Sequence, residues 1–183
     1  MIPLNIVVAL DTKNGIGKDG ELPWDLTGDL KHFREVTSTT RSPKKKNVVV
    51  MGRKTWDSIP GEYRPLPERT NVVLTKNIGV RFPEGVLKAD SFDQVMKMAN
   101  NDKLKNIIET IFVIGGQQVY EEAIKYPECE KLYITHVHNT FDCDTFFPPF
   151  NDAFESIQAS EEYKENLIAY HFEEYKRHNG EAS

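Results

Sequence analysis

The stretch Ile111-Phe112-Val113-Ile114-Gly115-Gly116-Gln117-Gln118-Val119-Tyr120 joins an unbroken apolar run to a helical pattern through two glycines. A strand with one wet face alternates apolar and polar residues, so four apolar residues in succession read as a strand covered on both faces. Gly115-Gly116 supplies a tight turn, and Gln117 to Lys125 has the spacing of an amphipathic helix. This order brings free amides and the positive end of a helix dipole to the carboxyl end of a strand, where a pyrophosphate can be held. Adjacent glycines would also let a ligand approach the backbone closely. A plain strand-to-helix turn remains the other reading of the segment taken alone.

The same alternation extends in both directions. Leu4 to Leu10, Asn47 to Met51, Asn71 to Leu74 and Lys131 to Val137 are further strand-like runs, several of them continuously apolar. Thr27 to Thr37, Arg53 to Ser58 and Ser91 to Ala99 carry helical periodicity. Strands alternating with helices predict an α/β fold of three layers, a mainly parallel sheet with helices on both faces. Ala153 to Ala159 and Leu167 to Lys176 break the rhythm as two strands with no helix between them, which predicts an antiparallel C-terminal edge. Lys44-Lys45-Lys46 reads as a solvated turn, and Pro60 to Pro67 as a stiff loop suited to holding side chains over a cleft. No repeat, linker or low-complexity tract divides the chain, so residues 1–183 are expected to form one domain.

Composition narrows the class. Of 183 residues, 39% are hydrophobic and 28% charged, the balance of a soluble protein that needs no disulfide or metal to fold. A formal net charge of -5 argues against nucleic acid or an anionic membrane as the main partner. An anionic ligand would therefore need a local basic site. Met1-Ile2-Pro3 leads directly into the first strand with no signal-peptide pattern, and no apolar run approaches a membrane span, so a cytoplasmic protein is expected. Cys129 and Cys143 fit no metal or redox spacing and read as free thiols. His136 and His138 alternate onto one strand face; with two ligands and no third, a polar strand face is expected and no metal site.

Several segments carry chemistry. Gly15-Ile16-Gly17-Lys18-Asp19-Gly20 matches a dinucleotide glycine pattern, but Glu21-Leu22-Pro23-Trp24 follows and proline delays any helix to about Thr27. A mobile loop carrying Leu22 and Trp24 as apolar lids fits better. Met51-Gly52-Arg53-Lys54-Thr55-Trp56 is a strand end, a glycine and a helix that opens with two cations. Cations there oppose the macrodipole, which a phosphate between them and the amides would explain. Thr75-Lys76, just beyond Leu74, adds a hydroxyl and a cation after another strand. Three phosphate-compatible strand ends in an acidic domain point to an anionic dinucleotide, and the cations favour NADP. Asp29 lies three after Leu26 and four before Phe33, on the apolar side of its helix. A carboxylate there loses hydration, so its pKa should rise, making it a proton source or a partner for a ligand's cationic edge. The other reading is an acid that complements the helix dipole. Thr135, on the strand Lys131 to Val137, could hydrogen-bond such an acid, but from pattern alone it reads first as a β-former in a strand.

With these residues in view, the chain resembles the dihydrofolate reductase family nearly from end to end. The match is carried by Gly15-Ile16-Gly17, Leu22-Pro23-Trp24 with Asp29, Met51 to Trp56, Arg64-Pro65-Leu66 with Arg69, Ile114-Gly115-Gly116, Val119-Tyr120, Thr135 and Asp144-Thr145-Phe146-Phe147-Pro148. The resemblance implies an eight-stranded, mainly parallel sheet with an antiparallel C-terminal strand. It implies NADPH as cofactor, dihydrofolate as substrate and antifolates as inhibitors, with hydride passing to pteridine C6 and a proton to N5. Asp29 then matches the acid that binds the pteridine and supports protonation, Thr135 its hydrogen-bond partner, and Leu22 and Trp24 the catalytic loop. Val7, Val8, Leu30, Phe33, Ile59, Leu66, Ile114 and Tyr120 match the substrate pocket, and Arg69 the guanidinium that pairs with a glutamate carboxylate. Ala9, Gly15, Ile16, Gly17, Lys18, Gly20 and Leu22 fall on the nicotinamide side. Gly52, Arg53, Lys54, Thr55, Leu74, Thr75 and Lys76 fall on the adenosine and 2′-phosphate side. Ile114, Gly115, Gly116, Gln117, Gln118, Val119 and Tyr120 fall around the pyrophosphate. Asp90 departs from the pattern, standing near the adenine side where some relatives carry Arg.

Some members of the family are fused to a thymidylate synthase, so the chain is expected to be a monomer or a domain of such a fusion. Two alternatives differ in class. One is a reductase of similar fold acting on a pyrimidine intermediate of riboflavin synthesis; the other is a non-catalytic NADP- or folate-binding protein. Asp29 with Thr135 and Arg69 favour the dihydrofolate reductase reading over the first, and the intact acid and loop favour it over the second.

Overall fold

Parallel strands with continuous apolar runs must be covered on both faces, and this constraint organises the computed structural model, which describes residues 1–179. The strands are β1 (Leu4–Leu10), β2 (Gly15–Gly17), β3 (Lys46–Gly52), β4 (Thr70–Leu74), β5 (Leu87–Ala89), β6 (Ile108–Val113), β7 (Cys129–Val137), β8 (Thr145–Phe146), β9 (Phe154–Ala159), β10 (Tyr163–Glu165) and β11 (Ile168–Arg177). The helices are α1 (Thr27–Ser38), α2 (Arg53–Ser58), α3 (Phe92–Ala99) and α4 (Gln117–Ala123). The main sheet runs β11-β7-β1-β6-β3-β4-β5, and β9 and β10 share the position outside β11. From β7 to β5 every neighbour is parallel; β11 is antiparallel to β7 and closes that edge.

Side chains two apart share a face, and the core divides accordingly. Leu4, Ile6, Val8, Leu10, Val48, Val50, Ile111, Val113, Leu132 and Ile134 pack with Phe92 and Val95 of α3 and Ala123 of α4. Val7, Val49, Met51, Val73 and Phe112 point the other way, toward Phe33 and Val36 of α1 and Trp56 of α2. The three-layer α/β architecture expected from the sequence is therefore present. No helix among the described residues is long and apolar enough to cross a membrane.

Local chemistry sets the element ends. Ser91 accepts from Gln94 N–H at 3.2 Å, so α3 begins at Phe92 with Ser91 as its cap. The C-terminal hairpin contains a further strand, β10, because Asn166 and Leu167 both adopt positive φ (52° and 63°) in a two-residue turn between Glu165 and Ile168. Leu167, expected inside a strand, is thus an exposed turn residue. β5 and the two-stranded pairing of β2 with β8 were also not expected; each is too short to carry a pattern of its own.

Ile111 is fully buried on the central strand β6. Ile111→Ala should cost about 2–5 kcal/mol. Urea unfolding would show this as a lower midpoint with an unchanged slope; an unchanged midpoint would mean that this core is not continuous.

Candidate active site

The site begins where α1 enters the sheet. Its N-cap residue, Leu26, offers no capping side chain, and Asp29 is the acid of its first turn. Glu165 of β10 does the capping from 138 residues away: its Oε1 accepts Thr27 N–H at 2.8 Å and its Oε2 accepts Gly28 N–H at 3.2 Å. The Thr27 hydroxyl also donates to Oε1. With the dipole satisfied by Glu165, Asp29 is free for another task. Thr135 Oγ1 donates to Asp29 Oδ1 at 2.6 Å across 106 residues of chain. Thr135 is buried, opposite Ala9 of β1 on one side and Phe172 of β11 on the other.

Burial raises the Asp29 pKa; the Thr135 hydroxyl opposes this by bonding the carboxylate, and the Glu165 charge adds to the rise. Ionising the acid here therefore costs more than it does in water. Beside it, Val7, Phe33, Ile59, Leu66 and Ile114 belong to one apolar cluster, a wall suited to a flat heteroaromatic ring. Leu30 is 53% exposed on the same helix and stands ready to extend that wall.

Arg69 lies at the far end of the wall, with its guanidinium 5.9 Å from the Phe33 ring centroid. Its Nε donates to Pro67 carbonyl at 2.8 Å and one terminal nitrogen donates to Thr37 Oγ1 at 2.9 Å. The second terminal nitrogen has no hydrogen-bond partner among the described residues. Burial and the neighbouring Arg34 charge lower the Arg69 pKa, against the pull of Glu68, so the buried cation gains from any anion that reaches it.

The carboxyl ends of β1, β6, β3 and β4 meet along one edge. Gly115 has φ +132°, and a Cβ there would sit 3.1 Å from Thr55 Oγ1. A Cβ at Gly52 would meet Val119 at 3.4 Å. The backbone of β6 and β3 is thus pressed together, with Gly52 N–H donating to Gly115 carbonyl at 2.9 Å. Gly116 caps α4 without a side chain, and Thr75, Lys54 and Lys76 stand at the same edge, both lysines exposed. Gln117 accepts Phe146 N–H at 2.9 Å and donates to Glu121 at 3.0 Å, while Gln118 is exposed.

The glycine-rich segment is a loop, as its proline indicated, and not a helix start. Gly15 and Gly17 pair with β8, and the buried Asp11 carboxylate accepts Gly15 N–H at 2.7 Å and Phe141 N–H at 2.9 Å. Asp144 Oδ2 accepts Asp19 N–H at 3.0 Å, and Lys18 exchanges backbone bonds with Glu21. Gly20, at φ +78°, lies at the open tip. Leu22 is exposed as a lid residue would be, but Trp24 is 6% exposed and packs with Leu26, Val137, Tyr170, Phe141 and Ala9. Trp24 is therefore an anchor of the loop; its buried Nε1–H has no acceptor among the described residues.

Other expected residues sit differently. Val8 and Val119 turn their side chains into the core on the opposite face, so only their backbone can meet a ligand. Ile16 and Leu74 are half-buried against that same core. Arg53 is already bound to Asp57, at 3.0 and 3.2 Å, one helical turn on. Tyr120 is buried in the opposite core, yet its hydroxyl donates to Val7 carbonyl at 2.9 Å, next to the wall. Asp90 is exposed, its N–H bound by Gln94, just past the Ala89 carbonyl that accepts Thr75 N–H. Glu165, Asp11 and Tyr170 were not anticipated.

A sequence model described as dihydrofolate reductase matches residues 3–177. The chain belongs to the dihydrofolate reductase family. Within that family it is 38% identical to dihydrofolate reductase of Drosophila melanogaster over 98% of this chain and 100% of the relative. It is 44% identical to a bifunctional dihydrofolate reductase-thymidylate synthase of Glycine max over 94% of this chain but 33% of the relative. The chain thus spans about a third of the bifunctional relatives it matches. Among solved structures, Schistosoma mansoni dihydrofolate reductase superposes with a TM-score of 0.86 at 34% identity, covering 96% of this chain and 98% of its own. The eight-position, mainly parallel sheet with an antiparallel C-terminal strand is the dihydrofolate reductase fold.

A raised aspartate pKa has a cost. Below the ordinary value of 3.8 both folded and unfolded chains carry protonated Asp29 and the cost is nil. As pH rises from 3.8 to the raised folded value, the unfolded chain ionises first and the folded state loses stability, which it does not regain at neutral pH. Asp29→Asn should therefore melt at a higher temperature than the parent at pH 7 and gain less at pH 3. An equal gain at both pH values would remove desolvation as the cause.

Proposed function

We propose that this chain catalyses the NADPH-dependent reduction of 7,8-dihydrofolate to 5,6,7,8-tetrahydrofolate, supplying one-carbon metabolism. The observation that carries the reading is the Asp29–Thr135 pair at 2.6 Å beside an apolar wall, with Arg69 unsatisfied at the wall's end. A pteridine presents a polar amide and amino edge on a flat ring, which matches a carboxylate next to apolar side chains. The aminobenzoyl tail would run over Phe33, Ile59 and Leu66, and its terminal carboxylate would reach Arg69, whose planar fork suits a bidentate partner. The pyrimidine of a riboflavin intermediate has no such tail and would leave Arg69 unmatched.

The residues at the strand ends fit a phosphorylated dinucleotide. Gly115 and Gly116 leave a cradle that side chains would fill, the α4 amides are uncapped, and Thr75, Lys54 and Lys76 supply a hydroxyl and cations for a 2′-phosphate. Ala9, Ile16 and the Gly17–Leu22 loop would flank the nicotinamide. When bound, NADPH supplies hydride equivalents. The chain's own work is to align the pteridine on the wall, limit water under Leu22, and keep a proton at the Asp29 carboxyl for delivery toward N5. Trp24 Nε1–H is a donor available to a water on that route.

We further propose that the protein is cytoplasmic, in keeping with its two free cysteines, and works as a monomer or as the reductase part of a fusion with a thymidylate synthase. A dihydrofolate reductase matched over its whole length and a bifunctional fusion both occur among the relatives.

The test is the fall in NADPH absorbance on adding dihydrofolate; abolition of that fall by an antifolate is the expected result, and no oxidation despite NADPH binding would refute the activity. Asp29→Asn should lower kcat about 10²–10⁴-fold with NADPH affinity unchanged, and should remove the decline in rate at high pH. Arg69→Leu should raise KM for dihydrofolate about tenfold or more and leave kcat near its parent value. The parent should prefer NADPH, and Lys76→Ala should narrow that preference. Equal kcat/KM with NADH in the parent would remove Lys54, Thr75 and Lys76 from the 2′-phosphate site.

A further inference from the structure

β7 presents Thr135 to the Asp29 side of the sheet and His136 to the other. The antiparallel register with β11 sets His136 directly opposite His171, and Glu173 follows two residues on, on the same face. The two imidazoles stack with centroids 5.0 Å apart, and both direct Nε2 at one oxygen, Glu173 Oε2, at 3.3 Å from His136 and 3.0 Å from His171. All three donor atoms lie within 4.8 Å of one another. They line a cavity of about 360 Å³ whose far wall is formed by Asp11, Thr12 and Asn14. The sequence supplied two histidines on one strand and led to a polar face; the register with β11 adds a third histidine and a carboxylate.

The hydrogen-bond chain beside this cluster suits an added positive charge. His171 Nδ1 contacts His138 Nε2 at 2.7 Å, and His138 Nδ1 contacts Glu162 Oε1 at 2.8 Å. From Glu173 through His171 and His138 to Glu162 there are three contacts, each needing one proton, because the carboxylates only accept. Two neutral imidazoles carry only two protons. The chain is complete when a third proton makes one ring cationic, or when a metal ion takes the place between His171 Nε2 and Glu173. With a metal there, His171 Nδ1–H donates to His138 and His138 Nδ1–H donates to Glu162, with every ring neutral. This is the outer carboxylate–imidazole support that fixes the tautomer of a ligating histidine. Ser156 Oγ donates to Glu173 Oε1 at 2.6 Å and holds the carboxylate with Oε2 toward the rings.

We propose that His136, His171 and Glu173 form a binding site for a divalent transition-metal ion, zinc foremost, on the face of the sheet opposite the reductase site. Two imidazoles and one carboxylate are a zinc-type donor set, with the fourth position open to water from the cavity. In a tetrahedral site with bonds of about 2.0–2.1 Å, donor atoms stand about 3.3 Å apart. The two Glu173 contacts already have that spacing, and side-chain rotation closes the third. Tyr175, whose hydroxyl lies 2.8 Å from His136 Nε2, gives up that contact when the ring turns to the metal. His138 and Glu162 orient His171 and are not ligands.

The experiment is a Co²⁺ titration of the full chain without NADPH or dihydrofolate, followed by visible ligand-field absorption. One equivalent should give the intense band of tetrahedral Co²⁺, and one equivalent of Zn²⁺ should abolish it. His171→Ala and Glu173→Gln should each remove the band while NADPH binding, measured by quenching of protein fluorescence, stays at the parent value. Glu162→Gln should weaken Co²⁺ about 10–100-fold without changing the band's shape. Absence of the band in the parent, with the added charge in the cluster then being only a proton, would overturn the proposal. A band that survives both ligand variants, or one with the thiolate charge transfer expected of Cys143, would overturn it equally.

Discussion

The parallel ladder of β7, β1, β6, β3 and β4 is the constraint from which the remainder follows. A parallel strand cannot return by a hairpin, so each crossover must pass over a face of the sheet and bury it. That requirement makes Val48 to Met51 and Ile111 to Val113 apolar on both sides and gives two cores. It also gathers the carboxyl ends of the strands along one edge, where the chain leaves the ladder for helices and loops. The paired glycines, the uncapped start of α4 and the cations beyond β3 and β4 all lie on that edge. The position of the ligand groove is thus a consequence of strand direction, before any side chain is chosen.

The antiparallel closure by β11 has a different effect. It adds Phe172 beside Thr135 on one face and His171 and Glu173 beside His136 on the other. Its hairpin partner β10 carries Glu165, whose carboxylate takes over the N-terminus of α1. Without that cap, Asp29 would be the nearest anion to the helix's free amides. With it, Asp29 turns to Thr135, and the Glu165 charge adds to the rise in its pKa. The helix amides and Asp29 thus each have a partner from the C-terminal half of the chain.

This explains what the sequence did and did not disclose. Strand and helix runs were legible because apolar spacing is a local property; α2 falls on Arg53–Ser58 as its pattern indicates. Asp29 was legible as an acid on an apolar helix face, but its pairing with Thr135 came from the family resemblance, since a threonine in a strand is unremarkable by pattern alone. Glu165 was not, since nothing near it in sequence marks a cap for a helix 138 residues earlier. Trp24 was read as a lid because its loop is glycine-rich; its burial depends on Phe141 and Tyr170, which only the tertiary fold brings near. Arg53 was read as a phosphate ligand, although Asp57 one turn later was a visible competitor. β5, at three residues, has too little length for any periodicity.

Thr135 and His136 are adjacent in sequence and serve opposite faces, so the two clusters share a backbone. They do not share a dielectric. Asp29 is half-buried beside apolar side chains, and that burial raises its pKa. The imidazoles sit at the mouth of a wet cavity, where carboxylates on both ends of the chain invite a cation. The cavity's far wall, Asp11 to Asn14, is also the root of the glycine-rich loop, because Asp11 holds Gly15 and Phe141 together. A charge placed among the histidines therefore lies against the anchor of the glycine-rich loop. The strand that carries both clusters is held by β1 on one side and β11 on the other.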